Sequence, residues 1–146
     1  MSNFIIKETN LEEALKIFPK IDEFDRKEAG TVDFCKIRLK NLDNIILASY
    51  IENIIVGYLI GHEKDGSFYC WVAGVDPKYR RQGIFTAMMI LFEEYAKKQG
   101  YKKVTLKTLN NKREMLSYMI KNNWNFIKIY PKDNVRKNEI LFEKEI

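Results

Sequence analysis

Three cations and a glycine stand where an extended segment gives way to a helix, and this arrangement can bind an anion. Lys78, Arg80 and Arg81 follow an Asp-Pro turn, and Gly83 comes two residues later. A helix N-terminus carries about half a positive charge and favours acidic residues by roughly 0.3–1 kcal/mol each, so cations there need compensation. An arriving phosphate supplies it, because backbone N–H groups and arginines can both donate to it. The spacing predicts a diphosphate cradle.

The segments on either side predict the strand and the helix that position this turn. Ser67–Val75 is an apolar run typical of a buried strand. A helix is expected from about Gln82 to Gln99, because apolar residues recur at 3.6-residue spacing over Phe85, Met88, Met89, Phe92, Tyr95 and Ala96. Lys103–Thr108 then predicts a strand parallel to the first, since strand–helix–strand units form such crossovers.

The remaining segments complete an α/β (α+β) pattern. Further strands are expected at Phe4–Lys7, Ile45–Tyr50, Ile54–Glu63, Trp124–Tyr130 and Glu139–Glu145. Further helices are expected at Leu11–Phe18, from about Thr31, and at Asn111–Asn122. The first of these should stop before Pro19, because the residue before a proline avoids helical geometry. The order β α α β β β α β α β β predicts a mixed, mostly antiparallel sheet of six or seven strands with about four helices.

Composition limits the classes of protein that fit. The chain has 146 residues, 46% hydrophobic and 31% charged, which predicts one globular domain. The net charge of +5 comes from dispersed lysines, which favours a soluble basic surface over nucleic-acid binding. The first residues lack a signal-like apolar stretch and no run suits a membrane span, so a cytoplasmic protein is expected. Cys35 and Cys70 are then free thiols.

The element order and the sequence Arg80-Arg81-Gln82-Gly83-Ile84-Phe85 resemble the GNAT superfamily of acetyl-CoA-dependent N-acyltransferases. The family pattern in this turn is Gln or Arg, two free positions, Gly, one free position, then Gly or Ala. Arg80 and Gly83 match it, whereas Phe85 departs from it, because the last position is usually small. The element order covers nearly the whole chain, while motif-level identity is confined to residues 71–89 and, more weakly, 108–124.

This resemblance implies one GNAT-type domain over residues 1–146, with a sheet that splays between its fourth and fifth strands around acetyl-CoA. It assigns the pyrophosphate to backbone amides of the turn and the pantetheine arm to the backbone of residues 73–75. An amide at Ala73 or Val75 would polarise the acetyl carbonyl. The implied cofactor-binding residues are Ala73, Gly74, Val75, Arg80, Arg81, Gln82, Gly83, Ile84, Phe85, Thr86 and Asn111.

The resemblance also implies a tyrosine that protonates the leaving thiolate. In many members this tyrosine lies seven residues after an asparagine, and Asn111 and Tyr118 have that spacing. It also usually lies four residues before a Gly-Phe pair. If Asn123-Trp124 replace that pair, Met119 takes the position instead. Tyr118 is therefore the expected acid, and the choice between Tyr118 and Met119 stays open at this point.

A proton acceptor is useful because an amine with a pKa near 10.4 is only about one part in a thousand neutral at pH 7.4. Histone-acetylating members carry a glutamate on the fourth strand, eleven residues before the arginine, and Tyr69 occupies that position here. Glu63, at the end of the preceding strand, is the nearest carboxylate and the expected base. Tyr69 and a chain of waters are the alternatives.

The expected function is an N-acetyltransferase that transfers the acetyl group directly, in a ternary complex, to a primary amine of a small molecule or peptide. A cluster of acids between the first two helices would attract a cationic amine: Asp22, Glu23, Asp25, Glu28 and Asp33. No metal site is expected, because no metal-ligand spacing is present, and the protein is expected to be a monomer or homodimer. A catalytically silent CoA-binding sensor and, more remotely, a small nucleic-acid-binding protein are the alternatives.

Overall fold

The computed structural model describes residues 3–21 and 27–146, which form seven strands and four α-helices. The strands are β1 Ile5–Glu8, β2 Asn44–Ile51, β3 Ile54–Lys64, β4 Ser67–Val75, β5 Lys103–Leu109, β6 Asn125–Tyr130 and β7 Glu139–Glu145. The helices are α1 Leu11–Ala14, α2 Val32–Leu39, α3 Ile84–Lys98 and α4 Arg113–Lys121. The predicted element order is confirmed, and the first helix is the one element whose extent differs appreciably.

The first helix is shorter than predicted and changes type. Asn10 caps it by accepting a hydrogen bond from the Glu13 N–H at 2.9 Å. After Ala14 the chain tightens into a 3-10 helix, Leu15–Lys20, which contains Pro19. The expected stop before the proline is therefore wrong. Burial of Ile17 and Phe18 in the core accompanies these tighter turns.

The sheet has the order β1-β2-β3-β4-β5-β7-β6. Its neighbouring strands are antiparallel except for β4 and β5, which run parallel as predicted. The β4–β5 register covers only Phe68–Cys70 against Val104–Leu106. Beyond Cys70 the two strands separate, so one side of residues 71–75 faces a gap rather than a strand. The predicted splay is confirmed.

A β-bulge sits at the point where the strands separate. Ile60 of β3 pairs with Val72, and Gly61 pairs with Cys70, which leaves Trp71 without a partner in the register. A bulge bends its strand and redirects side chains. Here Trp71 and the adjacent Val72 both pack against the α1–α2 side of the sheet, although neighbouring strand residues normally point to opposite faces.

Helices cover both faces of the sheet. On one face α3 buries four of the apolar residues predicted from its periodicity completely (Met88, Met89, Phe92 and Ala96), whereas Phe85 and Tyr95 are partly buried. On the other face α1, the following 3-10 helix and α2 cover β2 and β3. Both cysteines are free and buried. Among residues 3–21 and 27–146, no helix has the length and apolar character that crossing a bilayer requires.

Candidate active site

A cavity of about 860 Å³ runs from the first turn of α3 into the gap between β4 and β5 and reaches α2. Gln82 is the one predicted cofactor residue that does not line it, and its buried Oε1 has no hydrogen-bond partner. The other ten do line it: Ala73, Gly74, Val75, Arg80, Arg81, Gly83, Ile84, Phe85, Thr86 and Asn111. The predicted turn and the predicted gap thus belong to one continuous space.

The turn before α3 is shaped as an open cradle of backbone amides. Gly83 is the N-cap residue with φ +83°, and Arg81 also has a positive φ of 65°. A Cβ on Gly83 would meet nothing within 4 Å, so the space beside the backbone is clear. The first N–H groups of a helix have no intrahelical acceptor. Those of Ile84, Phe85 and Thr86 are therefore available to an anion in the cavity.

Both arginines of the turn make contacts within the protein. Arg80 Nε donates to the Val75 carbonyl at 2.9 Å, which fixes the turn to the end of β4. Arg81 Nη2 donates to Glu114 Oε1 of α4 at 2.7 Å, in an exposed ion pair. Exposed pairs contribute little, roughly 0–1 kcal/mol. The backbone amides and the helix dipole consequently form the main part of the cradle, with the arginine charges beside them.

Tyr118 of α4 lines the cavity. Its half-buried ring lies edge-on to Phe85, with the centroids 5.0 Å apart. Burial, with a smaller contribution from Glu93, raises the pKa of Tyr118 to about 12. The phenol is therefore neutral at physiological pH and can donate a proton.

The structure distinguishes Tyr118 from Met119 by what each side chain faces. Met119 is completely buried in the core with Leu116, three residues earlier, whereas Tyr118 shares the cavity side of α4 with Glu114 and Met115. Asn123 ends this helix region with φ 65°, as its left-handed tolerance predicted. The Trp124 N–H then bonds to the Met119 carbonyl at 3.0 Å. The helix stop is thus as predicted, and Tyr118 is the residue that faces the cavity.

Glu63, the expected base, lies away from this cavity. Its Oε1 accepts the Gly66 N–H at 3.0 Å and stabilises the tight turn between β3 and β4. Tyr69 does not line the cavity either, and burial raises its pKa to about 12. Both residues belong to the end of the sheet where β4 and β5 are still paired. The structure therefore does not bring them to the reaction gap.

Glu139, which the sequence analysis missed, does line the cavity. It begins β7, opposite Leu109 of β5 and Tyr130 of β6, and its carboxylate lies 3.3 Å from Lys132 Nζ. Phe34 and Trp71 also line the cavity without having been predicted. No local pattern marks these positions, because Glu139 reaches the site only through the placement of β7 between β5 and β6.

The Trp71 ring is held by a short chain of polar contacts. The Arg38 guanidinium lies 4.3 Å from the Trp71 ring centroid, and Arg38 Nε donates to His62 Nε2 at 3.1 Å. Since an arginine can only donate, Nε2 accepts, and Nδ1 carries the proton that it donates to the Glu63 carbonyl at 2.8 Å. This geometry requires neutral His62. Burial, opposed by the carbonyl bond and assisted by Arg38, lowers the His62 pKa below its usual value.

The lowered pKa of His62 predicts that the folded state loses stability as the pH falls. The pKa of His62 is lower in the folded than in the unfolded state, so its full contribution to stability is present above the unfolded pKa of about 6.5. That contribution is lost progressively as the pH falls below this value, because the unfolded chain then binds the extra proton. Urea unfolding at a series of pH values down to about 5 should show the decline. His62→Gln should flatten it, and parallel curves for both proteins would contradict the assignment.

Most of the predicted acidic cluster lies outside the described residues. Asp22, Glu23 and Asp25 fall in the segment 22–26, and the Glu28 side chain is likewise not described. Asp33 is exposed in the first turn of α2. Attraction of a cationic amine by these acids stays a prediction.

Comparison with known families gives one match that covers most of the chain. The family model for the acetyltransferase (GNAT) family matches residues 9–119. No curated protein matches the chain.

Solved structures of similar fold cover nearly the whole chain at low sequence identity. The ribosomal-protein-S18-alanine N-acetyltransferase of Escherichia coli matches with a TM-score of 0.79 and 18% identity, over 99% of this chain and 94% of its own. A GNAT family acetyltransferase from Elizabethkingia anophelis with acetyl-CoA bound gives 0.72 and 16%, over 100% of both chains. The PaiA N-acetyltransferase of Thermoplasma acidophilum in complex with coenzyme A gives 0.73 and 15%, over 99% of both.

Proposed function

Because the chain belongs to the acetyltransferase (GNAT) family, we propose that it transfers the acetyl group of acetyl-CoA to a primary amine of a small molecule or peptide. The observation that carries this proposal is the continuous cavity, which joins an amide cradle at α3 to the gap between β4 and β5. One long ligand fits both parts, with its anionic end at the cradle and its reactive end in the gap. Bound acetyl-CoA supplies an acetyl thioester, which is an acyl group activated for transfer.

The residues present fit such a cosubstrate. The open cradle at Gly83 accepts phosphate oxygens, and the gap-facing backbone of residues 73–75 can hydrogen-bond an extended amide-containing arm. Two structures of similar fold hold acetyl-CoA or coenzyme A, which supports the same class of ligand for this chain. Arg80, fixed to Val75, keeps the turn in register with the end of β4.

The cysteine that borders the cavity is a poor acceptor for the acetyl group, which favours direct transfer without an acetylated protein intermediate. Cys70 lies at the start of the gap but is only 3% exposed, and burial raises the pKa of its thiol to about 12. The thiol is therefore protonated and a poor nucleophile. The amine and the thioester then meet in one ternary complex.

Two side chains handle protons in this proposal. The Tyr118 hydroxyl holds its proton at neutral pH and releases it toward the departing sulfur. Glu139 replaces Glu63 as the carboxylate that draws a proton from the incoming ammonium. Glu114, the other carboxylate among the described lining residues, bonds Arg81 at 2.7 Å beside the cradle, whereas Glu139 lies 3.3 Å from Lys132 at the start of β7.

Glu139→Gln should lower kcat/KM for a strongly basic amine by about 10- to 100-fold near pH 7, because the neutral amine is then scarce. The loss should shrink as the pH approaches the amine pKa, and it should be smaller for a weakly basic amine. Rates across pH 6–10 with both kinds of amine measure this. Glu63→Gln is the matched control, and an equal loss in both variants would contradict a role specific to Glu139.

The overall proposal is tested by thiol release from acetyl-CoA with a panel of amines, alongside thermal shift with acetyl-CoA alone. Stabilisation together with amine-dependent thiol release is expected. Stabilisation without thiol release would favour the silent CoA-binding module, and the absence of both would overturn the proposal. Cytoplasmic location and a monomeric or homodimeric state stay predictions from the sequence.

A further inference from the structure

We infer that the acceptor amine carries an apolar, flat substituent, and that Phe34 and Trp71 select it. This inference rests on the proposed function, because it names the acceptor class for the same cavity. It is carried by one wall of the cavity, here called the acceptor wall, made of Phe18, Ile21, Ala29, Phe34 and Trp71.

The acceptor wall is made entirely of apolar and aromatic residues, none of them charged. The charged lining residues described belong to the α3 turn, to the β5–α4 region and to the start of β7: Arg80, Arg81, Lys107, Lys112, Arg113, Glu114 and Glu139. All the charged lining residues among those described therefore lie around the cradle and gap, and none of them lies against α2. A substituent on the amine that enters the apolar part gains by leaving water.

Two rings of the acceptor wall form one aromatic surface, on which a flat apolar group can pack. Phe34 and Trp71 are stacked, with centroids 6.2 Å apart and planes 28° apart. The β-bulge turns Trp71 toward this side of the sheet, at the mouth of the gap. Phe18 is held against Gly30, where any Cβ would collide with its ring. Bulges beside a site commonly aim a side chain into it.

Arg38 covers one face of the Trp71 ring. Its guanidinium lies 4.3 Å from the Trp71 centroid, in the position where a cation is attracted to an indole. Arg38 Nε also donates to His62 Nε2, which helps to hold the guanidinium there. A substituent on the acceptor therefore packs on the rest of the acceptor wall and not on the face of Trp71 that Arg38 covers.

Kinetics with two amines of similar basicity test the selection. We expect kcat/KM for 2-phenylethylamine to exceed that for ethanolamine by about 10-fold or more, as burial of an aromatic ring would give. Phe34→Ala should reduce this ratio several-fold, mainly by raising KM for 2-phenylethylamine, and leave the acetyl-CoA affinity unchanged. Ile37→Ala, on the same helix but 78% exposed, is the matched control. Equal ratios in wild type and Phe34→Ala would overturn the inference.

Fluorescence gives a readout that does not depend on turnover. The chain has two tryptophans, so Trp124→Phe leaves Trp71 as the single indole. Trp124 Nε1 is buried without a hydrogen-bond partner, so this change removes no hydrogen bond. With coenzyme A present, 2-phenylethylamine should shift the Trp71 emission to the blue in a saturable manner, and ethanolamine should not. The absence of a saturable shift would overturn the inference.

The two readouts separate the inference from the proposed function. If thiol is released at equal rates with apolar and polar amines and Trp71 does not respond, the inference of an apolar acceptor is overturned, while acetyl transfer is still supported. A Trp71 response without thiol release from acetyl-CoA in the presence of any amine would support the apolar acceptor wall and overturn acetyl transfer.

Discussion

Replacing Gly83 by Asp should lower the affinity for acetyl-CoA by on the order of 100-fold without unfolding the protein. A carboxylate at this position would lie at the amide cradle, about 5 Å from bound phosphate, where like charges repel by roughly 3 kcal/mol at an effective dielectric constant of 20. Asp tolerates the left-handed backbone that Gly83 adopts at φ +83° better than most residues. Its Cβ would meet no neighbour within 4 Å. Isothermal calorimetry measures the loss.

Gly83→Asn is the matched control, since it adds a side chain of the same shape without charge. It should weaken binding far less than Gly83→Asp. The stability of the ligand-free protein should follow the opposite order, because an acid at a helix N-terminus is stabilising by about 0.3–1 kcal/mol. Unfolding of the two variants without ligand should thus find Asp at least as stable as Asn. Equal affinities for acetyl-CoA would mean that no phosphate lies at this turn.

The parts of the site that come from one stretch of chain could be predicted from sequence. The limits of β4 and β7 match their predicted ranges, and α3 begins two residues later than expected. The Asp-Pro turn, Gly83 and the apolar periodicity of α3 each act within a few residues, so local chemistry determines them. The parallel β4–β5 pair followed from the handedness of strand–helix–strand crossovers.

The parts that depend on distant strands could not be predicted in this way. Glu63 lies near β4 in sequence, yet it caps a turn at the paired end of the strands. Glu139 enters the cavity because β7 lies beside β5, a placement that no local pattern encodes. The bulge at Trp71 depends on the register between two strands, and it decides which face that ring occupies. Local periodicity carries no information on register.

The choice between Tyr118 and Met119 shows how packing resolves what spacing cannot. Counting from Asn111 selected Tyr118, and counting back from Asn123-Trp124 selected Met119. Neighbouring residues on a helix point in different directions, so only one of the two can face the cavity. Met119 is completely buried with Leu116, which leaves Tyr118 toward the cavity beside Phe85.

Tyr118→Phe should lower the rate of acetyl transfer by about 100-fold or more, the range expected when a general acid is removed. The ring would keep its edge-on contact with Phe85, so the fold and the acetyl-CoA affinity should stay unchanged. Burial holds the wild-type pKa at about 12, so the hydroxyl stays protonated and available across the working pH range. Single-turnover rates with acetyl-CoA preloaded measure the chemical step without interference from product release.

Tyr50→Phe is the control for removal of a tyrosine hydroxyl elsewhere, because that hydroxyl bonds Glu13 at 2.8 Å outside the cavity. It should cost stability and leave the single-turnover rate intact. A loss of rate in Tyr118→Phe together with a loss of acetyl-CoA affinity would instead indicate that the hydroxyl helps to hold the cosubstrate. An unchanged single-turnover rate would remove Tyr118 from the chemistry, and the departing sulfur would then take its proton from water.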